Sequence, residues 1–193
     1  MTRTLTVISG LVVFALCFPG PANAGLVTNG GFETGDFTGW TLSGESFNCG
    51  SPSGISTNSP HSGTYSACFG NPNGLTFISQ TIATTPGQQY GFSFYYGQQP
   101  PNQTLSNQVQ IMWGADTLAN VSNVPVTAWK LAGSYVTATG TSTTIEFGFE
   151  NGPGWFALDD VSVDPVSVPE PQSMILCAVG LGLLGLLRRG ARA

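Results

Sequence analysis

The chain contains very few basic side chains. Five of its 193 residues are lysine or arginine, and between Gly25 and Pro165 Lys130 is the only one, set against nine acidic residues. Proteins that bind nucleic acids draw much of their affinity from cations that neutralise phosphates. A stretch with a net charge of −8 therefore excludes nucleic acid as a partner.

Catalytic signatures are also scarce. The chain has one histidine, His61, and no Gly-x-Ser-x-Gly sequence, although hydrolases need a nucleophile with a base, or two suitably placed carboxylates. Glu146 and Glu150 share the outward face of one predicted strand, and a solvated strand face explains them more simply than catalysis does. We therefore expect a protein that is not an enzyme, with a polysaccharide hydrolase as the least favoured alternative.

The first 24 residues have the pattern of a secretory signal peptide. Arg3 supplies the positive start, Leu5 to Phe18 form an apolar segment, and Ala22-Asn23-Ala24 is an A-x-A cleavage site. Cleavage is expected between Ala24 and Gly25, with an uncleaved anchor as the alternative. The pattern predicts an exported protein.

Two of the four cysteines lie outside these terminal segments. Cys17 belongs to the signal peptide and Cys177 to the apolar run near the C-terminus, which leaves Cys49 and Cys68. An oxidising compartment favours a disulfide between them, which would add about 3 kcal/mol in the chain-entropy model. Two buried free thiols are the alternative.

No apolar run is long enough to cross a bilayer comfortably. The run from Met174 to Leu187 has 14 residues, and a transmembrane helix needs about 20. Three arginines follow it, and positive residues stay on the cytoplasmic side of a membrane. This pattern predicts a short transmembrane helix that anchors the chain weakly at its C-terminal end, with the main domain outside. The arginines are Arg188, Arg189 and Arg192.

The C-terminal segment resembles the bacterial PEP-CTERM sorting signal, a segment also catalogued as an ice-binding protein C-terminal domain. The box Val168, Pro169, Glu170, Pro171 precedes the short helix and the arginine cluster, in the order that this signal requires. The resemblance implies recognition and processing by an exosortase, a membrane-embedded peptidase or transpeptidase. It also implies a final place at the cell surface or in an extracellular matrix, with exopolysaccharide as a partner. An ordinary membrane anchor is the alternative.

Between Gly25 and Asp164 apolar residues alternate with polar ones, and no helical pattern of useful length occurs. A period of two predicts half-buried antiparallel strands. Glycine-, proline- and asparagine-rich turns separate about eight such segments, which favours an all-β antiparallel sandwich or jelly roll. The predicted strands are Tyr65 to Phe69, Leu75 to Ile82, Tyr90 to Tyr96, Val109 to Trp113, Trp129 to Thr137, Ile145 to Phe149 and Trp155 to Val163.

The same region is similar to the galactose-binding-like jelly roll of carbohydrate-binding modules of the family 4/9 type. The motifs that carry this likeness are an opening Asn29-Gly30-Gly31-Phe32-Glu33, a central Ser62-Gly63-Thr64-Tyr65 and a closing Leu158-Asp159-Asp160-Val161. The domain organisation expected is a signal peptide over 1–24, the sandwich over 25–165 and the sorting signal over 166–193.

A structural calcium ion follows from this resemblance, because in the family it joins the first and last strands. Glu33, Asp159 and Asp160 are the carboxylates at the matching motifs, with carbonyl groups near His61 to Thr64 to complete an oxygen shell. Phe156 and Leu158 have one parity and Val161 and Val163 the other, which places the two aspartates at a β-bulge or at a strand entry. Solvated turn acids are the alternative.

Sugar binding in this fold uses exposed aromatic rings assisted by amides and acids. Tyr95 faces away from the apolar side of its strand, and Gln98 is expected in the loop that follows. We name Tyr95, Gln98 and Trp155 as glycan contacts, although most aromatic side chains pack the interior; Trp40 and Trp113 are expected in the core. The leading hypothesis is a non-enzymatic matrix protein, and the alternative is a binding protein for one defined glycan.

Overall fold

The computed structural model describes residues 25–44, 54–58, 60–99, 107–125, 128–152 and 154–167. Strands dominate these ranges, and the apolar–polar alternation accounts for them. The strands are β1 Thr41–Ser43, β2 Ile55–Ser56, β3 Ser66–Phe69, β4 Thr76–Ala83, β5 Gln89–Gln99, β6 Asn107–Trp113, β7 Asp116–Ser122, β8 Lys130–Thr137, β9 Ser142–Asn151 and β10 Trp155–Pro165.

The strands form two five-stranded sheets. Sheet A has the order β1-β4-β9-β6-β7 and sheet B the order β2-β3-β10-β5-β8. Every pairing is antiparallel. The expected all-β antiparallel sandwich is therefore confirmed.

The seven predicted strands are all present, with ends that differ by a few residues. The prediction missed β7, whose sequence Asp-Thr-Leu-Ala-Asn-Val-Ser has no apolar alternation because almost all of it is exposed. It also missed β1 and β2, which have three and two residues. Short edge strands and exposed strands do not produce the half-buried pattern on which the prediction rests.

Aromatic rings from both sheets meet in the core. Phe147 in β9 is fully buried, and its ring centroid lies 4.9 Å from that of Phe94 and 5.7 Å from that of Phe92, both in β5. Trp40 and Trp113, 8% and 4% exposed, are buried as predicted. Such edge-on and tilted contacts add to the burial of apolar area that holds the sheets together.

The start and the end of the folded region lie side by side. The Leu26 amide donates to the Val163 carbonyl (3.2 Å), and the Val161 amide donates to the Gly30 carbonyl (2.9 Å). A Cβ at Gly30 would lie 2.1 Å from the Val161 oxygen, so only glycine permits this approach. The segment from 25 to 40 is thereby held against β10.

The register of β10 shifts between Asp159 and Ser162, where the strand bulges. Asp160 has a positive φ of 49° at this point. The predicted bulge at the two aspartates is confirmed. It lets Leu158 and Val161 both face the core and turns the carboxylates to the outer side of sheet B.

Several expectations concern residues outside the described ranges. These are the signal peptide with its Ala24–Gly25 cleavage site, the Val168-Pro169-Glu170-Pro171 box, the short C-terminal helix with its arginines, and Cys49 of the expected disulfide. Cys68 lies in β3 and is 1% exposed. Within the described ranges no helix is long and apolar enough to span a membrane.

Replacement of Phe147 by alanine should lower the free energy of unfolding by about 3–5 kcal/mol, because a fully buried ring would leave a cavity between the sheets. Urea denaturation of the full chain in detergent measures this. Val121→Ala, at a position 49% exposed, should change stability by well under half of that amount. Equal losses in the two variants would contradict this description of the core.

Candidate functional site

A loop over residues 60–65 lies on the outer face of sheet B and is held there by Asp159. One carboxylate oxygen of Asp159 accepts hydrogen bonds from the amides of His61 (2.9 Å) and Ser62 (3.2 Å), and the other accepts from the Asp160 amide (2.8 Å). Asp159 is fully buried. Removal from water raises the pKa of its carboxyl to about 6, an effect that these hydrogen bonds only partly offset.

Glu33 holds the same loop from its other end. Its Oε1 accepts hydrogen bonds from the amides of Thr64 and Tyr65, each 3.0 Å away. Gly63 has a positive φ of 61°, and a Cβ there would lie 2.2 Å from Glu33 Oε1. The Ser62-Gly63-Thr64 motif is therefore explained by the close approach of a carboxylate from the opening segment.

Asp160 binds two side chains of the loop. His61 Nδ1 lies 2.6 Å from Asp160 Oδ2, and the Ser62 hydroxyl donates to Asp160 Oδ1 at 2.7 Å. A serine nucleophile needs its hydroxyl bonded to the histidine that acts as base. Here serine and histidine both bond to the carboxylate, so the three side chains fix the loop and do not form a nucleophile–base pair.

The carboxylates expected to bind calcium are thus close together but have other partners. Glu33, Asp159 and Asp160 meet the same loop, and their oxygen chemistry suits calcium. Each of their carboxylate oxygens, however, faces an N–H or O–H donor. The described residues contain no group of three acidic, histidine or cysteine side chains arranged to hold a metal ion. The calcium ion that the family resemblance implies stays a prediction for these three carboxylates.

The three residues named as glycan contacts do not form one surface. Tyr95 lies beneath His61, with ring centroids 3.5 Å apart and planes 16° from parallel. Gln98 belongs to β5 rather than to a loop and is 3% exposed, so it is not presented to a ligand. Trp155 is half-buried at the start of β10.

The outer face of sheet A carries a different set of side chains, centred on Gly148 in β9. Phe77 in β4 and Gln110 in β6 lie directly opposite Gly148 on its two sides. A Cβ on Gly148 would lie 2.7 Å from Phe77 Cε1 and 3.3 Å from the Gln110 Cβ. The ring of Phe77 therefore extends over the glycine and lies across the middle of the sheet.

Acids and amides surround this ring. Glu146 and Glu150 precede and follow Gly148 on the same side of β9, since Phe147 and Phe149 between them face the core. Gln108 lies opposite Glu150, and Met112 opposite Glu146. Gln108 also donates to the side-chain oxygen of Asn120 (2.6 Å), which fixes its orientation. All of these outward side chains on β6 and β9 are partly exposed.

This arrangement combines an apolar ring with hydrogen-bonding side chains on the outer face of one sheet. Such a surface suits a molecule that has one apolar face and a rim of hydroxyl groups. Sequence reasoning identified Glu146 and Glu150 as outward but missed Phe77 and Gly148. The isolated glycine between two buried phenylalanines was the available signal, because a glycine inside a strand often marks the close approach of another group.

Comparison with known protein families gives two matches. Residues 24–158 match the family model described as carbohydrate binding domain, which covers more than half of the chain. Residues 167–193 match the PEP-CTERM protein-sorting motif. The two matches follow one another along the chain with little overlap or gap. No curated protein sequence matches the chain.

Solved structures with a similar fold include carbohydrate-binding modules. TmCBM61 in complex with β-1,4-galactotriose is 18% identical with a TM-score of 0.52 over 74% of this chain and 99% of its own. The CBM22-1 xylan-binding domain of Xyn10C from Paenibacillus barcinonensis is 15% identical with a TM-score of 0.52 over 72% and 93%. A family 16 carbohydrate-binding module is 17% identical with a TM-score of 0.50 over 72% and 99%. At these identities the likeness shows the fold.

The raised pKa of Asp159 predicts a stability that falls as pH rises. The folded carboxyl holds its proton to about pH 6 and the unfolded one to about 3.8, so its contribution is fully present below pH 4 and is lost by pH 6. The loss is on the order of 1–3 kcal/mol. Urea titrations at several pH values should show this slope in Asp116→Asn, an exposed control, and not in Asp159→Asn. An unchanged slope in Asp159→Asn would contradict the assignment.

The calcium ion implied by the family resemblance predicts a stability that depends on calcium. Thermal unfolding of the full chain should have a higher midpoint in calcium chloride than in EDTA, because Glu33, Asp159 and Asp160 bring carboxylate oxygens to one loop. Glu33→Ala should remove this difference. Equal midpoints of the wild type in the two solutions would contradict a calcium ion at this loop.

Proposed function

The chain belongs to the carbohydrate binding domain family, and from that premise we propose that it binds polysaccharide along the outer face of sheet A. In this proposal it is an exported, non-enzymatic protein that associates with exopolysaccharide. A protein specific for one defined glycan is the alternative. The observation that supports binding here most strongly is the ring of Phe77 across Gly148, with acids and amides on both sides.

A sugar ring matches this surface in chemistry. One face of a pyranose consists of C–H groups, which pack on an aromatic ring, while its hydroxyls donate to carboxylates and exchange hydrogen bonds with amides. Phe77 would supply the stacking surface, and Gln110 with Glu146 the polar contacts. Membership of this family is compatible with any neutral sugar as the ligand. A polyanionic polysaccharide is disfavoured because the surface is acidic.

The strand spacing favours a chain of sugars over a single one. Glu146 and Glu150 are four residues apart on β9, which is about 13 Å at 3.3 Å per residue. The face therefore extends across more than one ring. Of the similar modules named above, one is in complex with β-1,4-galactotriose and another is a xylan-binding domain, so β-1,4-linked galactan and xylan are the first polymers to test.

The C-terminal PEP-CTERM motif makes this an exosortase-sorted protein, and proteins of this kind are exported to the cell surface. We infer in addition that the precursor is held at the inner membrane by the short C-terminal helix. Processing would occur near Val168-Pro169-Glu170-Pro171, and the sandwich would then act at the surface or in the matrix. Binding to exopolysaccharide would keep it there after release.

The same spacing argues against hydrolysis. Glycosidases place two carboxyl groups roughly 5–10 Å apart around the scissile bond, and the side chains of Glu146 and Glu150, whose backbones are about 13 Å apart on one strand, would have to lean toward each other to reach that distance. We therefore expect no release of reducing ends from galactan or xylan. Release that disappears in Glu146→Gln would establish the hydrolase in place of the binding protein.

Replacement of Phe77 by alanine should weaken polysaccharide binding at least tenfold, because stacking on the ring is lost. Gln110→Ala should weaken it severalfold. Affinity electrophoresis of the full chain in gels that contain β-1,4-galactan or xylan measures both. Asp116→Asn, an exposed change in β7 away from Gly148, is the control and should migrate as the wild type does.

Phe77 is partly exposed, so the alanine variant should keep its fold, and urea denaturation would confirm that. Equal retardation of the wild type and Phe77→Ala would refute binding on this face. Retardation by neither polymer, with a folded protein, would restrict binding to other glycans and would be followed by a glycan array. A wild type that binds no glycan on that array would refute the proposed function.

A further inference from the structure

We propose that the opposite face of the sandwich, on sheet B, carries a second sugar-binding groove, so that one molecule joins two polysaccharide chains. This inference rests on the proposed function and extends it from binding to cross-linking. It is carried by a groove of about 400 Å³ on the outer side of β5 and β8. Tyr135, the most exposed large hydrophobic side chain of the described ranges at 72%, lines it.

Two glycines and a serine form the floor of this groove. Gly91 lies opposite Tyr135 in the β5–β8 pair, and Ser93 lies opposite Gly133. A Cβ on Gly91 would be 3.8 Å from Tyr135 Cε1, so the ring extends over the glycine. The absence of a side chain at Gly91 leaves space beside the tyrosine, and the ring keeps most of its surface in solvent.

A carboxylate forms the other wall. Asp164 in β10 lies opposite Gly91 on the side away from Tyr135. The Ser162 hydroxyl donates to the Asp164 carboxylate, which holds it in position, and Ser162 itself lies opposite Ser93. The groove thus has an aromatic ring on one side, an oriented acid on the other and hydroxyls along the floor.

This combination repeats the chemistry of the sheet A face. There too a ring extends over a glycine in the neighbouring strand, with acids close by. A neutral pyranose fits the sheet B groove because it offers C–H groups to Tyr135 and hydroxyl donors to Asp164. A purely apolar partner would leave the carboxylate without a donor, which is costly. The occupant that we infer is therefore a sugar unit of the same neutral polysaccharide.

One short stretch of glycan cannot contact both outer faces of the sandwich. Sheets in a sandwich pack about 10 Å apart with their outer faces pointing in opposite directions. A glycan on sheet A would have to leave the surface and turn around the sandwich to reach Tyr135. Two separate polysaccharide chains can bind the two faces without such a turn. A protein that holds both chains would cross-link a matrix.

The test uses the full chain in detergent and two sets of beads, coated with β-1,4-galactan or with xylan. The wild type should bind and aggregate beads of at least one kind. Tyr135→Ala and Gly91→Thr should still bind through sheet A but no longer bridge beads, with bridging reduced at least tenfold. Threonine suits a strand and would fill the floor. Leu131→Ala, 56% exposed on the same side of β8 but outside the groove, should bridge as the wild type does.

Phe77→Ala separates this inference from the proposed function. It should bind beads weakly through sheet B and should not bridge them. Bridging by Tyr135→Ala at the wild-type level, or complete loss of bead binding in Phe77→Ala, would overturn the second groove. Binding that survives Phe77→Ala and is abolished in Tyr135→Ala would refute the sheet A face and the cross-linking together, leaving the groove as the binding site.

The alternative occupant of this edge is a second copy of the chain, since β8 is the last strand of sheet B. Light scattering of the detergent-solubilised wild type and of Tyr135→Ala should give the same mass. A dimer that Tyr135→Ala dissociates would assign the exposed ring to self-association and would overturn the sugar groove.

Discussion

The register of β9 is the constraint on which both the core and the proposed binding face depend. Phe147 and Phe149 must point inward, because their rings join those of β5 and β10 between the sheets. The alternation of a strand then forces Glu146, Gly148 and Glu150 outward. A slip by one residue would exchange the two sets and remove core and face together. Stability of the sandwich and chemistry of its surface are therefore two consequences of one pattern.

A second set of contacts holds the sandwich closed around this core. The opening segment carries Glu33 to the loop at 60–65, and the bulge in β10 brings Asp159 to the same loop from the other side. The hydrogen bonds from backbone amides join the loop to Asp159, 97 and 98 residues away along the chain, and to Glu33, 31 and 32 residues away. They also stack His61 on Tyr95, which covers one face of that ring. The motifs that carry the family likeness thus build a structural joint, and the binding face that we propose lies on the other sheet.

The sequence was sufficient for the architecture because alternation is a local property. The segments around Phe92, Ile111 and Phe147 each show it, and each became a strand with the predicted side buried. A single change of parity in β10, between Leu158 and Val161, was enough to locate the bulge. The expectation for Gln98 did not anticipate that β5 continues through it, because two glutamines followed by prolines have the composition of a loop. The cover over Tyr95 depends on a loop 34 residues earlier, which no local pattern records.

The proposed face was harder to predict because it needs three strands at once. Phe77, Gln110 and Gly148 are far apart in the chain, and their meeting follows from the pairings of β4, β9 and β6. A structure of the chain with a β-1,4-linked galacto- or xylo-oligosaccharide bound would test this account most directly. The account predicts a sugar ring packed on Phe77, with its hydroxyls bonded to Gln110 and Glu146. An oligosaccharide bound only at the end of the sandwich, with sheet A bare, would contradict it.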